Sequence, residues 1–150
     1  MLAVTTNPYV LERSFNVEAV NALANASSVR PFIGGDGESF LDLTDVLAAD
    51  MNIALLGQFG GFVMNWCAPA CYEIHTMILP EGRGPWAFQA GHDCIAMMRD
   101  VFGAKLLWTR VSPDLPHVAL FARKCGMSDA GQINFNGQLF DILTWRAECL

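Results

Sequence analysis

The sequence predicts a layered domain of the α/β or α+β class, built on a mixed sheet. Strand-like apolar stretches lie on both sides of one long amphipathic helix pattern. Asn136-Gly137 stands between two such stretches, and this dipeptide is a strong hairpin signal. Apolar residues make up 53% of the 150 residues and charged residues 16%, which predicts one well-buried domain over residues 1–150.

One helix, one shorter helix and three strands are predicted before residue 80. Ser14 or Asn16 precedes the first helix as an N-cap, and we expect that helix to end near residues 27–28, before Arg30-Pro31. The other elements of this half are one or two helical turns near residues 43–47 and strands over residues 52–56, 59–66 and 71–79.

A long central helix follows the third strand. It opens at Trp86, after the loop of residues 80–85, and Gly103 ends it in the usual carboxyl-terminal manner. We expect its apolar positions to be buried and these polar positions to face water: Gln89, His92, Asp93 and Asp100. The remaining elements are a strand over residues 105–111, a helix over residues 113–125, and hairpin strands over residues 132–135 and 139–145.

Charge and hydropathy exclude two classes of partner. The formal net charge of -6 argues against a surface that neutralises nucleic-acid phosphates. No apolar run is long enough to span a bilayer, and the amino terminus lacks the pattern of a signal peptide. We therefore expect a cytoplasmic protein with neither a nucleic-acid nor a membrane partner.

The five cysteines have no repeating frame, which is typical of free thiols in a reducing compartment. Cys67, Cys71 and His75 are spaced four apart, a spacing that would gather metal ligands on one face of a helix. Pro69 interrupts this stretch, and the residues from Tyr72 onward are predicted as a strand. The three side chains would then not converge, so we expect no metal site.

The loop between the third strand and the central helix has the composition of an anion site. Gly82 and Gly84 let the backbone approach a ligand, Arg83 adds positive charge, and Pro85 suits the first helical position. Backbone N–H groups at a helix start present positive partial charge to an anion. The alternative is an ordinary strand-to-helix turn with a solvent-facing arginine, and the spacing alone leaves both open.

Glu73 and His75 are the candidate proton-transfer groups. They are two residues apart on a predicted strand and therefore share a face. Histidine is the side chain that changes charge near neutral pH, which makes His75 a credible base. Two titratable groups in one cleft would relay a proton, whereas the alternative is a structural pair without catalytic use.

With this order of elements, the chain resembles the GNAT superfamily of acetyl-CoA-dependent N-acetyltransferases over about residues 52–145. Three segments carry the resemblance: residues 79–87, LPEGRGPWA; residues 108–113, WTRVSP; and residues 121–127, FARKCGM. The sequences of residues 20–25, 29–31 and 72–75 are similar to those of a bacteriophage-encoded branch of this superfamily.

The resemblance implies a mixed, mostly antiparallel sheet flanked by helices, with acetyl-CoA as co-substrate. It places cofactor contacts at Ile78, Leu79, Arg83, Gly84, Pro85, Trp86 and Ala87. It makes Glu73 or His75 the base that deprotonates a primary amine on a small molecule or a protein. It also implies a homodimer as an open alternative to a monomer, and the host cytoplasm as the setting if the chain is phage-encoded.

Three departures from the family pattern keep a second hypothesis open. Ala122 stands where the tyrosine that protonates the leaving thiolate is usual, Leu115 or Pro116 stands at a frequent asparagine position, and Trp86 replaces a glycine at the helix entrance. His117, Ser112 or water could replace the acid. The second hypothesis is a catalytically degenerate binding or structural module of this fold, such as a phage accessory or virion protein.

Overall fold

The computed structural model describes residues 7–148. Within that range the chain forms a seven-stranded sheet with four α-helices. The strands are β1 (Glu12–Arg13), β2 (Ile53–Gly57), β3 (Gly60–Ala68), β4 (Cys71–Ile78), β5 (Leu106–Val111), β6 (Ser128–Phe135) and β7 (Gln138–Arg146). The helices are α1 (Val17–Ala24), α2 (Thr44–Ala48), α3 (Pro85–Asp100) and α4 (Pro116–Lys124).

The sheet is mixed and mostly antiparallel, which confirms the predicted class. The strand order is β1-β2-β3-β4-β5-β7-β6, and only the β4–β5 pair is parallel. A parallel neighbour needs a crossover connection, and α3 supplies it. The final hairpin inserts β7 beside β5 and leaves β6 at the edge.

Two apolar layers cover the two faces of the sheet. Residues 72, 74 and 78 of β4 pack with α3 and α4, whereas Met77 packs with Val20 and Leu23 of α1. This alternation follows from the two-residue period of a strand. Residues 73 and 75 therefore belong to the face of Met77, the α1 side, whereas Thr76 lies on the α3 side with residues 72, 74 and 78.

Local signals explain most helix boundaries. Asn16 caps α1, since its Oδ1 accepts the Ala19 N–H at 3.1 Å. This helix ends at Ala24, earlier than predicted, because the backbone of Asn25 leaves helical geometry, with φ −96° and ψ 2°. The helix α4 begins at Pro116 rather than at residue 113, because a turn in which Leu115 N–H donates to Ser112 O precedes it.

Asp93 corrects the prediction for the water-facing side of α3. Its residue is only 7% exposed, because the amino-terminal segment packs against the helix there. Asp93 Oδ2 accepts the Val10 N–H at 2.8 Å, and its Oδ1 accepts from Gln89 Nε2 at 2.8 Å. The partner lies 83 residues away in sequence, so helical periodicity carried no sign of it. The strand β1, two residues long, is likewise too short to leave a pattern.

No helix among residues 7–148 has both the length and the apolar character needed to cross a bilayer. Four cysteines in this range, Cys67, Cys71, Cys94 and Cys125, carry free thiols. The fifth, Cys149, lies outside the described residues.

Candidate active site

The parallel strands β4 and β5 separate in the middle of the sheet. They pair at only three register positions, of which Glu73↔Trp108 is the last, while β5 stays paired with β7 as far as Val111. Just past that point, the Thr109 hydroxyl donates to Ile74 O at 3.0 Å and closes the base of the opening. Beyond it, β4 has no strand ladder on its β5 side within the described residues, so its backbone edge is free to pair with a ligand.

A narrow cavity lies at this opening, between the separated strands, α3 and α4. Its volume is about 40 Å³, and Thr76, Thr109 and Ala122 are among its lining residues. A water molecule takes about 30 Å³ in the liquid, so the cavity is a slot rather than a chamber. The opening therefore suits an extended, thin chain that passes between the two strands.

Two thiols line the same slot, but neither is a nucleophile. Burial raises the pKa of Cys125 to about 11, and burial raises that of Cys94 further still. Cysteine attacks as the thiolate, and a raised pKa removes that species at neutral pH. The raised pKa values therefore disfavour an acyl-cysteine intermediate at this slot.

The amino terminus of α3 opens beside the end of β4. Gly84 precedes the helix with φ 125° and ψ −139°, and no side chain of the described residues caps it. Phe88 N–H bonds to Gly84 O at 3.2 Å, which leaves the earlier N–H groups of this turn for a ligand. A Cβ on Gly84 would meet no atom within 4 Å, so the backbone conformation, not space, requires the glycine.

Arg83 is exposed but tethered. Its Nη2 donates to Ser28 O at 2.9 Å and contacts Ile78 O at 3.4 Å, which joins the segment after α1 to the end of β4. Trp86, at the first turn of α3, packs edge-on against Phe59 with ring centroids 5.4 Å apart. The indole thus fixes the helix start against the β2–β3 turn, which explains a bulky residue at this entrance.

The structure brings the predicted anion-site residues together in one continuous turn. They run from the last residue of β4 into the first turn of α3: Ile78, Leu79, Arg83, Gly84, Pro85, Trp86 and Ala87. A helix start with free N–H groups and a nearby guanidinium is the arrangement that attracts phosphate.

Glu73 and His75 share the α1-side face, as predicted, and they are in contact. Glu73 is 6% exposed, and its Oε1 lies 3.4 Å from His75 Nε2. Its other oxygen accepts from Arg110 Nε at 2.7 Å. The sequence reasoning missed Arg110, which stands two residues past Trp108, the residue opposite Glu73 on β5. The register between β4 and β5 would have indicated that Arg110 lies beside Glu73.

The carboxylate of Glu73 is held in its charged form. Burial raises its pKa, but the hydrogen bonds and charges of His75 and Arg110 outweigh burial and set the pKa below the usual 4.5. A lowered pKa makes a weaker base. The lowered pKa therefore makes Glu73 the weaker candidate base of the two side chains that the sequence singled out.

Asn65 is a further polar neighbour that sequence reasoning missed. It lies opposite Glu73 on β3, and its Nδ2 is 3.1 Å from His75 Nε2. Nε2 thus lies between the Asn65 amide and the Glu73 carboxylate, and which atom donates depends on the tautomer of the ring.

Aromatic rings surround the outer side of Arg110. Its guanidinium carbon lies 4.5 Å from the ring centre of Phe135 and 5.8 Å from those of Phe140 and Trp108. Phe135 and Phe140 belong to the final hairpin, so cation–π contacts dock that hairpin beside Glu73. The hairpin and β4 together form one wall of the α1-side face.

A second cavity, of about 150 Å³, lies on the same face and reaches His75 and Asn65. The segment between α1 and α2 forms its outer wall. Asn25 holds that wall by pairing with both the N–H and the carbonyl of Leu41, each at 2.7 Å, and Asn21 Oδ1 accepts the Leu43 N–H at 2.8 Å. The side chains of these two asparagines bond to the backbone of the wall segment in the way that a neighbouring strand would.

Arg30 holds the rest of this wall. It is 5% exposed, and its guanidinium donates to Ser39 O and Gly34 O at 2.7 Å each and to Asp36 Oδ1 at 3.2 Å. One buried side chain thus gathers the glycine-rich loop of residues 34–39. The wall of the second cavity is therefore shaped by side-chain bonds to backbone and not by regular secondary structure.

No tyrosine of the described residues stands in α4, where the sequence comparison placed Ala122. Ala122 is buried, and Tyr72 is buried on β4 among residues that pack with α3. The slot therefore has no tyrosine among the described residues that line it.

No protein-family model and no curated protein sequence matches the chain. Solved structures do. The aminoglycoside acetyltransferase AAC(6')-Ib, in complex with paromomycin and acetyl-CoA, matches with TM-score 0.73 and 12% identity, covering 91% of this chain and 92% of that one. Spermidine N-acetyltransferase from Vibrio cholerae, in complex with CoA and spermine, matches with TM-score 0.66 and 14% identity, covering 90% and 93%.

Both structures are N-acetyltransferases that share the layered arrangement described above. At these identities the likeness concerns the course of the chain and not individual side chains. The chain has the fold of the GNAT acetyltransferases.

Proposed function

We propose that the protein transfers the acetyl group of acetyl-CoA to a primary amine by direct attack within a ternary complex. The observation that carries this proposal is the opening between β4 and β5 after Glu73↔Trp108, with the uncapped start of α3 beside it. The similar folds were solved with acetyl-CoA or CoA bound, which supports the same co-substrate here.

The cofactor would use two features of the fold. Its pyrophosphate would sit at the N–H groups of residues 84–87, with the charge of Arg83 nearby. Its pantetheine chain would run along the free edge of β4 near Ile78, with amide groups paired to the backbone as an added strand would be. The thioester would then lie at the slot lined by Thr76 and Thr109.

The chemistry follows from the α1-side face. The ammonium of the acceptor gives a proton to His75, whose charged form Glu73 stabilises across 3.4 Å. The amine lone pair then attacks the thioester carbonyl carbon and forms a C–N bond. The C–S bond breaks, the thiolate of CoA leaves and takes a proton from solvent, and the nitrogen loses its second proton.

A calorimetric titration with acetyl-CoA tests the proposal. We expect a saturable heat with one site per chain, and no such heat with an apolar thioester that lacks the nucleotide. The absence of any acetyl-CoA heat or thermal shift would refute the proposal. Binding without amine-dependent CoA release would instead support the binding module of this fold.

Three finer statements stay predictions of the sequence: a phage origin, a cytoplasmic setting and a homodimer. Light scattering of the purified chain decides the last of them.

A further inference from the structure

We infer that the acceptor is a primary monoamine carried on a short aliphatic or aromatic group, and not a polyamine or an aminoglycoside. The inference deepens the proposed function and rests on it. It comes from the second cavity, which meets the candidate base His75 and lies on the same face as Glu73.

The lining of that cavity is apolar except at one end. Asn65 and His75 are its polar residues, and its six other lining residues are apolar: Ile33, Leu41, Leu43, Val46, Val63 and Met77. None of the described residues that line it is acidic. A second ammonium group inside would have no carboxylate to pair with, and burying an unpaired charge is costly.

The carboxylates around this cavity lie outside its lining. Glu73 is paired with Arg110 at 2.7 Å. In the wall segment, Asp36 binds Arg30, and Asp42 Oδ1 accepts from Asn21 Nδ2 at 3.2 Å. Glu38 of the same segment and Asp45 of α2 are exposed, and neither lines the cavity. A second ammonium group inside the cavity would therefore meet no carboxylate among the described residues that line it.

The polar end is suited to a single amino group. Asn65 Oδ1 is buried and accepts no hydrogen bond from the described residues. An N–H donor that reached it would relieve the cost of an unsatisfied buried acceptor. His75, the proton acceptor of the proposed function, lies at the same end, with Nε2 3.1 Å from Asn65 Nδ2. The apolar lining also lowers the pKa of a bound amine, since burial disfavours the charged form, and so favours the neutral nucleophile.

The size of the cavity sets the size of the group. A cavity of about 150 Å³ holds a benzene-sized molecule. Five or so carbon atoms, as a straight or branched chain or a ring, therefore fill it. Each buried methylene adds about 0.8 kcal/mol in general, which corresponds to a several-fold gain in affinity per carbon.

Pentylamine and 1,5-diaminopentane make a matched pair of probes, because they differ only by a methyl or an ammonium at the far end. With saturating acetyl-CoA, we expect pentylamine to have a KM at least about tenfold lower than the diamine or spermidine. Val46→Asp places a carboxylate on the lining and should lower the KM of the diamine relative to that of pentylamine by about tenfold. Val46→Thr should leave this ratio of KM values unchanged.

A binding arm separates this inference from the proposed function. Saturation-transfer NMR with the two amines, without acetyl-CoA, should show pentylamine bound and displaced poorly by the diamine. A diamine that binds or reacts as well as pentylamine overturns the inference even if acetyl transfer is confirmed. If acetyl-CoA does not bind, the proposed function fails, and the preference in the NMR arm still decides the ligand class. If Val46→Asp does not fold, the ratio of the two KM values in the wild type decides the inference.

Discussion

Arg110 Nε donates to Glu73 Oε2 at 2.7 Å, and this partly buried ion pair distinguishes Glu73 from His75, the other candidate catalytic group. The guanidinium holds the carboxylate charged and lowers its pKa together with His75. In the proposed mechanism, Glu73 would then stabilise the imidazolium that forms when His75 takes a proton from the amine. Because of this pairing, we expect substitutions of the two side chains to have different effects.

The two substitutions should differ in severity. His75→Ala removes the proton acceptor and should lower kcat by about 10²–10⁴. Glu73→Gln keeps the shape and removes the charge, so it should lower kcat by about tenfold. Calorimetry should show unchanged acetyl-CoA affinity for both. The assignment is reversed if Glu73→Gln is inactive while His75→Ala keeps most of the rate.

The pH dependence of the rate separates the same two roles. A Glu73 base with a pKa below 4.5 would keep the rate level from neutral pH down to about pH 5. We expect instead that kcat/KM of the wild type already falls within that interval. A parallel measurement of protein stability at each pH serves as the control. A level profile would assign the proton transfer to Glu73.

Stability should depend on pH through Glu73 with a definite sign. Its folded pKa is lowered, so its stabilisation is fully present above the ordinary value of 4.5 and is lost as pH falls through the folded value. Urea unfolding between about pH 6 and about pH 3 should show Glu73→Gln losing less stability than wild type. At neutral pH the variant should be less stable by about 1–3 kcal/mol. Parallel curves for the two proteins would contradict the lowered pKa.

Gly84→Ala tests the start of α3 as the phosphate site. The residue sits at φ 125° and ψ −139°, which costs a non-glycine residue about 1–3 kcal/mol. We expect acetyl-CoA affinity to fall about tenfold by calorimetry, because the first helical N–H groups move. Gly103→Ala is the control: it has φ 71° at the other end of α3 and open space around it, so it should be strained without losing affinity.

Arg30→Met tests the wall of the second cavity. The buried guanidinium bonds to Ser39 O and Gly34 O, so its loss should cost about 1–3 kcal/mol in urea unfolding. The acceptor KM should rise about tenfold while acetyl-CoA affinity stays unchanged. Arg99→Met removes an exposed pair with Asp100 and should change neither quantity measurably. An unchanged acceptor KM in Arg30→Met would separate this loop from the acceptor site.

Gly91 of α3 lies against Cys125, the residue that follows α4. A Cβ there would lie 2.3 Å from Cys125 Sγ, so Gly91→Ala should destabilise the fold by about 1–3 kcal/mol. Adding Cys125→Ala removes the clashing atom and should recover part of that loss. Equilibrium unfolding of the four proteins of this cycle measures the coupling, and strictly additive losses would contradict the contact.

Local patterns predicted the framework because they depend on near neighbours in sequence. The start of α1 was predicted at Ser14 or Asn16, of which Asn16 is the cap. Asn136-Gly137 predicted the final hairpin, and the two-residue period placed Glu73 and His75 on one face. The turn at Gly84 was predicted by composition. Cofactor binding at this turn stays a prediction.

Long-range contacts were beyond the reach of the same reasoning. Arg110 and Asn65 meet the site because β4 lies between β5 and β3 in one particular register, and no short window of sequence contains that register. Asp93 is buried by Val10, whose segment folds back from the amino terminus. The apolar cavity likewise depends on Arg30 and Asn25, polar residues whose use in building a wall is visible only in the folded chain.

The central claim is acetyl transfer to an amine at this face of the sheet. Its most direct test is steady-state CoA release with acetyl-CoA and pentylamine, with the acetylated amine identified by mass spectrometry, for wild type and His75→Ala. The account predicts one acetylated amine per CoA released, with both substrates bound together and a rate at least about a hundredfold lower in the variant. CoA release that does not depend on the amine, or none at all from a protein that binds acetyl-CoA, would contradict it.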